Sequence, residues 1–266
     1  MPALRLPVCK IGPAILFCVL GACATSPTER RQVVLYSEQE MAQMGTQAYQ
    51  QMRQEMPVSS NRRHNEFVQC VTGYIVAALS EEEKGEYVWE ATLFEDSSAN
   101  AFALPGGKMG VFTGLLDVAE NQHQLGAVIA HEVGHVLARH SNERASRSTL
   151  RDVGFVVAQV LGVPGSTMGA VDLATELGLM RPFGRAQESE ADTVGVMLMA
   201  RAGFDPEQSI KLWVNMNSQG GSRPPEFIST HPSPETRIGD LRRLMEPAQA
   251  LRESAMARGF VPDCER

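Results

Sequence analysis

The stretch that most limits what this chain can fold into is Leu125 to His140, LGAVIAHEVGHVLARH. It holds His131, Glu132 and His135 in the spacing His-Glu-x-x-His. A helix turns 100° per residue, so residues four apart stack on one face. Leu125, Val128, Ile129, Val133, Val136 and Leu137 form a broad apolar surface around the motif, no proline interrupts it, and only Gly126 and Gly134 are weak helix formers. Two imidazoles and a carboxylate on an apolar helix need partners once buried, and a bound metal supplies them together. The pattern predicts a helix whose His131 and His135 ligate one Zn²⁺, with Glu132 as the acid/base that handles the proton of the attacking water.

The rest of the 266-residue chain is consistent with an exported protein of one or two compact domains. Its net charge is −7 with no basic block, which argues against nucleic acid as a partner. Arg5 and Lys10 precede the apolar run Ile11 to Ala22, too short to span a bilayer but suited to a secretory signal. Leu20-Gly21-Ala22-Cys23 resembles a bacterial lipobox, in which the Cys23 sulfur is lipidated, residues 1–22 are cut off and the new N-terminus is acylated. An ordinary signal peptide with an incidental cysteine is the alternative. Alanine at position 24 fits sorting to the outer membrane in the Gram-negative pattern, giving a lipid anchor facing the periplasm. Residues 23–35 read as a polar tether and 36–266 as the folded domain. Cys70 and Cys264 then remain as a candidate disulfide for an oxidising compartment, against the alternative of two thiols.

Helices are expected over Glu38 to Met56 and Asn61 to Leu79, and a strand over Tyr87 to Phe94. Gly106-Gly107 marks a turn before a short strand, Lys108 to Thr113. That strand is either an open edge that pairs with an extended peptide or half of a plain hairpin. Ser141 to Leu179 reads as an excursion over the site, either a lid or lipid-touching surface or simple core packing, and its apolar part, Val153 to Val163, is too short for a membrane helix.

A second helical segment, Ala186 to Arg201, carries Glu188-x-x-x-Asp192. Glu188 and Asp192 share a face, so Glu188 is the candidate third zinc ligand. Asp192 is placed to accept the free ring N–H of a ligand histidine, His131 foremost. Glu190, about 200° around the axis from Glu188, faces elsewhere. His140 lies about 180° from His131 and is expected to cap or pack rather than reach the metal. The long three-histidine zinc motif is excluded, since Ala138 and Ser141 stand where it needs glycine and histidine. His64 and His123 have no ligand-like context. His231 is different: it stands in Ser229-Thr-His-Pro-Ser-Pro-Glu-Thr-Arg237, behind a glycine- and proline-rich loop.

His131-Glu132-x-x-His135, Glu188-x-x-x-Asp192 and His231-Pro with Arg237 together resemble metallopeptidase family forty-eight, the HtpX and CAAX prenyl protease-like zinc endopeptidases, in its bacterial lipoprotein branch. The resemblance implies an α+β, mostly helical, zincin-like fold with a small sheet beside the active-site helix. It implies one Zn²⁺ per chain, Glu132 as general base, and His231 and Arg237 as residues that stabilise the oxyanion or gate the metal. The stretch Asn100-Ala-Phe-Ala-Leu-Pro-Gly-Gly resembles the family's substrate-side strand, which puts Asn100, Ala103, Gly107 and Met109 at the substrate. Two roles for His231 stay open. A neutral imidazole could take the fourth metal position and make the enzyme latent, or it could donate to the oxyanion. The implied activity is hydrolysis of misfolded or stalled envelope proteins, with outer-membrane assembly machinery as a possible partner. The alternative is a periplasmic chaperone or assembly factor with a latent metal site.

Overall fold

The computed structural model describes residues 23–160, 183–219, 226–231 and 236–266. The signal segment 1–22, the part of the expected excursion beyond Val160, and the Gly220-Gly221 and Pro224-Pro225 loop lie outside them. The protein is mostly helical around a three-stranded sheet. Helix α1 (Glu38–Glu55) starts at a capping box, in which the Ser37 hydroxyl accepts from the Glu40 N–H and the Glu40 side chain returns the bond. Helix α2 (Arg62–Ala77) starts at Asn61, whose side chain accepts from the His64 N–H. A single turn, α3 (Glu81–Lys84), leads to strand β3 (Glu90–Phe94). That strand is shorter than the alternation of Tyr87 to Phe94 suggests, because Trp89 turns to pack on Gly107 and donates its indole N–H to the Lys84 carbonyl.

Strands β4 (Ala101–Leu104) and β5 (Lys108–Phe112) form a hairpin through Gly106 and Gly107, both at positive φ. The sheet order is β3-β5-β4, with β3 parallel and β4 antiparallel to β5. Every residue of β4 and β5 is buried. After the short α4 (Thr113–Val118) comes α5 (Gln122–Leu137), then α6 (His140–Val160), α7 (Arg185–Arg201), α8 (Glu207–Gln219), α9 (Glu226–Thr230) and α10 (Arg237–Ala257). No described helix is long and apolar enough to cross a membrane.

The main core lies between α2, the sheet, α5 and α7, from Phe67, Val71 and Ile75 through Leu93 and Val111 to Val128, Val133 and Met199. A disulfide joins Cys70 of α2 to Cys264 of the C-terminal tail. Residues 23–35, expected as a tether, are folded instead. Strands β1 (Cys23–Thr25) and β2 (Arg31–Val33) pair antiparallel, and the hairpin lies against α6 and α7. Polar side chains rather than apolar ones hold it there, which is why its composition resembles that of a linker.

Candidate metal centre

Helix α5 is the centre of the molecule. Asn121 caps it, accepting from the N–H groups of His123 and Gln124, and every residue from Gln124 to Val136 is buried. A helix apolar on all sides belongs inside a protein, so its three polar motif residues are carried into the core. Helix α7 crosses it at close range. A Cβ at Gly134 would stand 2.9 Å from the Ala191 carbonyl oxygen, and one at Gly195 would stand 2.9 Å from the His131 backbone. The two glycines let the backbones approach, which brings Glu188 and Asp192 to the histidines.

Donor atoms of His131, His135, Glu188 and His231 lie within 4.8 Å of one another, and all four residues are buried. His135 Nε2 is 3.1 Å from His131 Nε2, and His231 Nδ1 is 3.3 Å from the same nitrogen. Glu188 Oε1 is 3.2 Å from His231 Nδ1 and 3.6 Å from His135 Nε2, while Glu188 Oε2 is 3.5 Å from His131 Nε2. A tetrahedral ion with nitrogen and oxygen ligands at about 2.05 Å needs ligand-to-ligand edges of about 3.3 Å. These spacings run from 3.1 to 3.6 Å, close to that figure, so the residues present fit a metal ion.

The electrostatics favour a cation at the same point. Burial opposes charge on His131, but Asp192 and Glu188 outweigh it and hold the imidazole up at about 9. His131 Nδ1 lies 3.0 Å from Asp192 Oδ1, which turns its Nε2 toward the other donors. Burial also opposes the charge of Glu188, yet the surrounding histidines hold its carboxyl far below the usual range. Burial drives His135 well below its ordinary value, leaving a neutral ring able to donate a lone pair.

Glu132 points from the same helix toward the sheet. Burial raises its carboxyl, against the pull of His231 and His131, which suits a group that must take up and return a proton. Its Oε2 accepts from the Ala103 N–H at 3.2 Å, and its Oε1 lies 3.3 Å from His231 Nε2. His231 follows α9, where its ring stacks on Phe227 and the Phe227 N–H donates to the Ala99 carbonyl.

Arg237 is fully buried and does not face the substrate side. Its Nε donates to Asp192 Oδ2 at 2.5 Å and its Nη2 to Glu188 Oε2 at 2.8 Å, with the guanidinium over the Trp213 ring. It braces two carboxylates of the centre, where the resemblance implied contact with the oxyanion or metal. Of the expected substrate residues, Ala103 lies on β4, an edge strand facing Glu132. Asn100 just precedes it and its side chain accepts from the Ala101 N–H. Gly107 and Met109 are elsewhere: Gly107 is in the turn, and Met109 is on the central strand, whose two edges are already paired. β4 is thus the sheet edge beside Glu132, and β5 offers no free backbone.

His140 does stay out of the donor set, but it does more than cap or pack. Its Nδ1 meets His135 Nδ1 at 2.8 Å and its Nε2 meets Glu190 at 3.0 Å. Phe183 stacks on the His135 ring with centroids 4.0 Å apart, a contact no sequence pattern signals. His64 lies in the first turn of α2, where its backbone N–H donates to the capping Asn61 side chain, and the His123 ring packs edge-on to Phe204; neither approaches the centre.

A mostly helical zincin-like domain, with a buried helix presenting this donor group beside a small sheet, defines a metallopeptidase. The chain belongs to peptidase family M48, whose model matches residues 61–245. M48 peptidases are metal-dependent, normally through zinc. Similar proteins include the mitochondrial metalloendopeptidase OMA1 of Schizosaccharomyces pombe, 38% identical over 170 residues, covering 63% of this chain and 50% of the relative. The beta-barrel assembly-enhancing protease of Escherichia coli K12 is 30% identical over 214 residues, covering 77% of this chain and 43% of the relative. OMA1 of Arabidopsis thaliana is 27% identical over 237 residues, 89% of this chain and 45% of the relative. The chain spans about half the length of the curated relatives it matches.

Proposed function

We propose that this protein is a zinc endopeptidase of the bacterial cell envelope that hydrolyses misfolded or stalled envelope proteins and rests in a closed form. The observation that carries the reading is the convergence of four buried donors beside the Glu132 carboxylate. His131, His135 and Glu188 would hold the ion. Zinc there supplies a Lewis acid that lowers the pKa of water towards 7 and polarises a peptide carbonyl. Glu132, raised by burial, takes the proton of the attacking water and returns it to the leaving amine. Asp192 and Arg237 keep His131 and Glu188 oriented through the cycle. An extended substrate would pair along β4, with the Ala103 N–H exchanged from Glu132 to the peptide.

The closed form rests on two contacts. His231 contributes the fourth donor, and the outward N–H groups of β4 are taken by Asn100 and Glu132. A substrate must displace both. Cys23, at the start of β1, is the lipid attachment point in this reading, and sorting to the outer membrane would put the enzyme beside the assembly machinery there. The beta-barrel assembly-enhancing protease, a relative, carries a name of that kind.

Purified protein incubated with an unfolded casein-like polypeptide should yield internal fragments, lost with chelator and restored by zinc. Binding of the polypeptide without cleavage, in wild type and His231→Ala alike, would contradict the enzyme reading in favour of a chaperone. For the envelope assignment, Cys23→Ala should leave washed membranes; its retention there would remove the lipid anchor.

A further inference from the structure

The His135 ring has a second partner behind the metal centre, and the chain of contacts does not stop there. His140 is fully buried and Glu190 is 4% exposed. A carboxylate only accepts, so at 3.0 Å from Glu190 Oε2 the His140 Nε2 carries the proton. The neutral His140 ring then offers a lone pair at Nδ1, and His135 Nδ1, 2.8 Å away, must be the donor. That leaves the lone pair of His135 on Nε2, the atom turned to the ligand set.

The other donors to Glu190 come from the N-terminal hairpin. Thr28 Oγ1 donates to Glu190 Oε1 at 2.6 Å, and Arg30 Nε donates to Oε2 at 2.8 Å. The rest of the Arg30 fork is fixed on Glu143, with Nη1 and Nη2 donating at 2.8 and 2.7 Å. Gln187 of α7 donates to the same carboxylate at 2.9 Å. A bidentate arginine clamp of this kind sets direction as well as charge.

We propose that Thr28 and Arg30 of the N-terminal hairpin, acting through Glu190 and His140, are positioning residues of the metal centre that fix the tautomer and orientation of His135. The hairpin is thus part of the metal site although none of its atoms reaches the metal. Loss of the clamp frees Glu190 to rotate, His140 to flip, and His135 to place its proton on Nε2, where it can no longer ligate. The inference rests on the reading of His135 as a metal ligand.

The test compares the zinc dissociation constant by chelator competition, the visible spectrum of the cobalt-loaded protein, and the thermal midpoint of the metal-free protein. His140→Ala should weaken zinc about ten- to a hundredfold, the range for lost partners of metal-ligating histidines, and shift the cobalt bands. Arg30→Met should do the same to a smaller extent, roughly three- to tenfold. His140→Asn, whose side-chain oxygen can still accept from His135 Nδ1, should restore most of the affinity. Ser146→Ala loosens the same segment elsewhere, by removing the acceptor of the Leu35 N–H, and should lower the thermal midpoint with zinc affinity unchanged. Zinc affinity and cobalt bands unchanged in Arg30→Met and His140→Ala would overturn the proposal; if His140→Ala does not fold, Arg30→Met and His140→Asn decide it. Wild-type protein that binds no zinc, or His135→Ala that binds it as tightly, would overturn the metal-centre reading and this inference with it.

Discussion

His231 is the residue on which the proposed closed resting state turns. Its Nδ1 sits among the donors of His131, His135 and Glu188, and its Nε2 is 3.3 Å from the Glu132 carboxylate, so one ring is placed to meet both a bound ion and the base. Under the closed-state account His231→Ala keeps three ligands and should raise basal cleavage, by about tenfold if nine in ten molecules rest closed. A fall of about ten- to a thousandfold, the signature of a lost oxyanion donor, would contradict latency. His131 with His135, and Glu188 with Asp192, were legible because residues four apart share a helical face, and Glu132 by its place in the His-Glu-x-x-His spacing. Arg237 was legible as a member of the site but not in its role. Only the fold shows that its fork is spent on Asp192 and Glu188. His140 and Glu190 were read as facing away from the metal, and their link to it through His135 stayed hidden because helical angle measures distance from the metal and not connection to it.

The crossing of α5 and α7 is the element that makes the site. Gly195 meets the His131 backbone at a distance no side chain tolerates. Gly195→Ala should therefore push the helices apart, an overpacking cost of about 1–3 kcal/mol set against roughly 1 kcal/mol gained in helix propensity. Denaturant unfolding should show a lower midpoint, accompanied by weaker metal binding; a midpoint at or above wild type would contradict the crossing. Helices α1, α2 and α7 stand within two residues of their patterned bounds and α5 within three, because apolar periodicity and capping residues are local signals. The sheet was harder. Which strand is the edge depends on the parallel pairing of β3 with β5, a contact between distant segments that no local pattern records. Met109 was therefore expected at the substrate but lies on the central strand. Helix α10 carries Pro247 in its interior, which hides its continuity from a sequence reading.

Across the whole molecule, both ends of the described chain are fastened to the catalytic core. The C-terminal tail is held by the Cys70–Cys264 disulfide, and Gln122 at the start of α5 accepts from the Cys264 N–H at 2.8 Å. The two cysteines are 194 residues apart, so the cross-link removes much freedom from the unfolded chain. Cys264→Ser should lower unfolding stability by about 2–5 kcal/mol. Equal denaturant midpoints for the variant and wild type under non-reducing conditions would show that the bond does not form in solution. The N-terminal hairpin was the largest departure from the sequence reading, since ionic contacts to α6 and α7 leave no apolar pattern. In the proposed mechanism three side chains hold the ion and a fourth moves the proton. Metal content and hydrolysis measured together on Glu132→Gln and Glu188→Gln test it most directly. The account predicts about one zinc per chain in wild type and in Glu132→Gln, with hydrolysis lost in the latter, and much weaker zinc binding in Glu188→Gln. Cleavage at a wild-type rate by Glu132→Gln, or full zinc retention by Glu188→Gln, would contradict it.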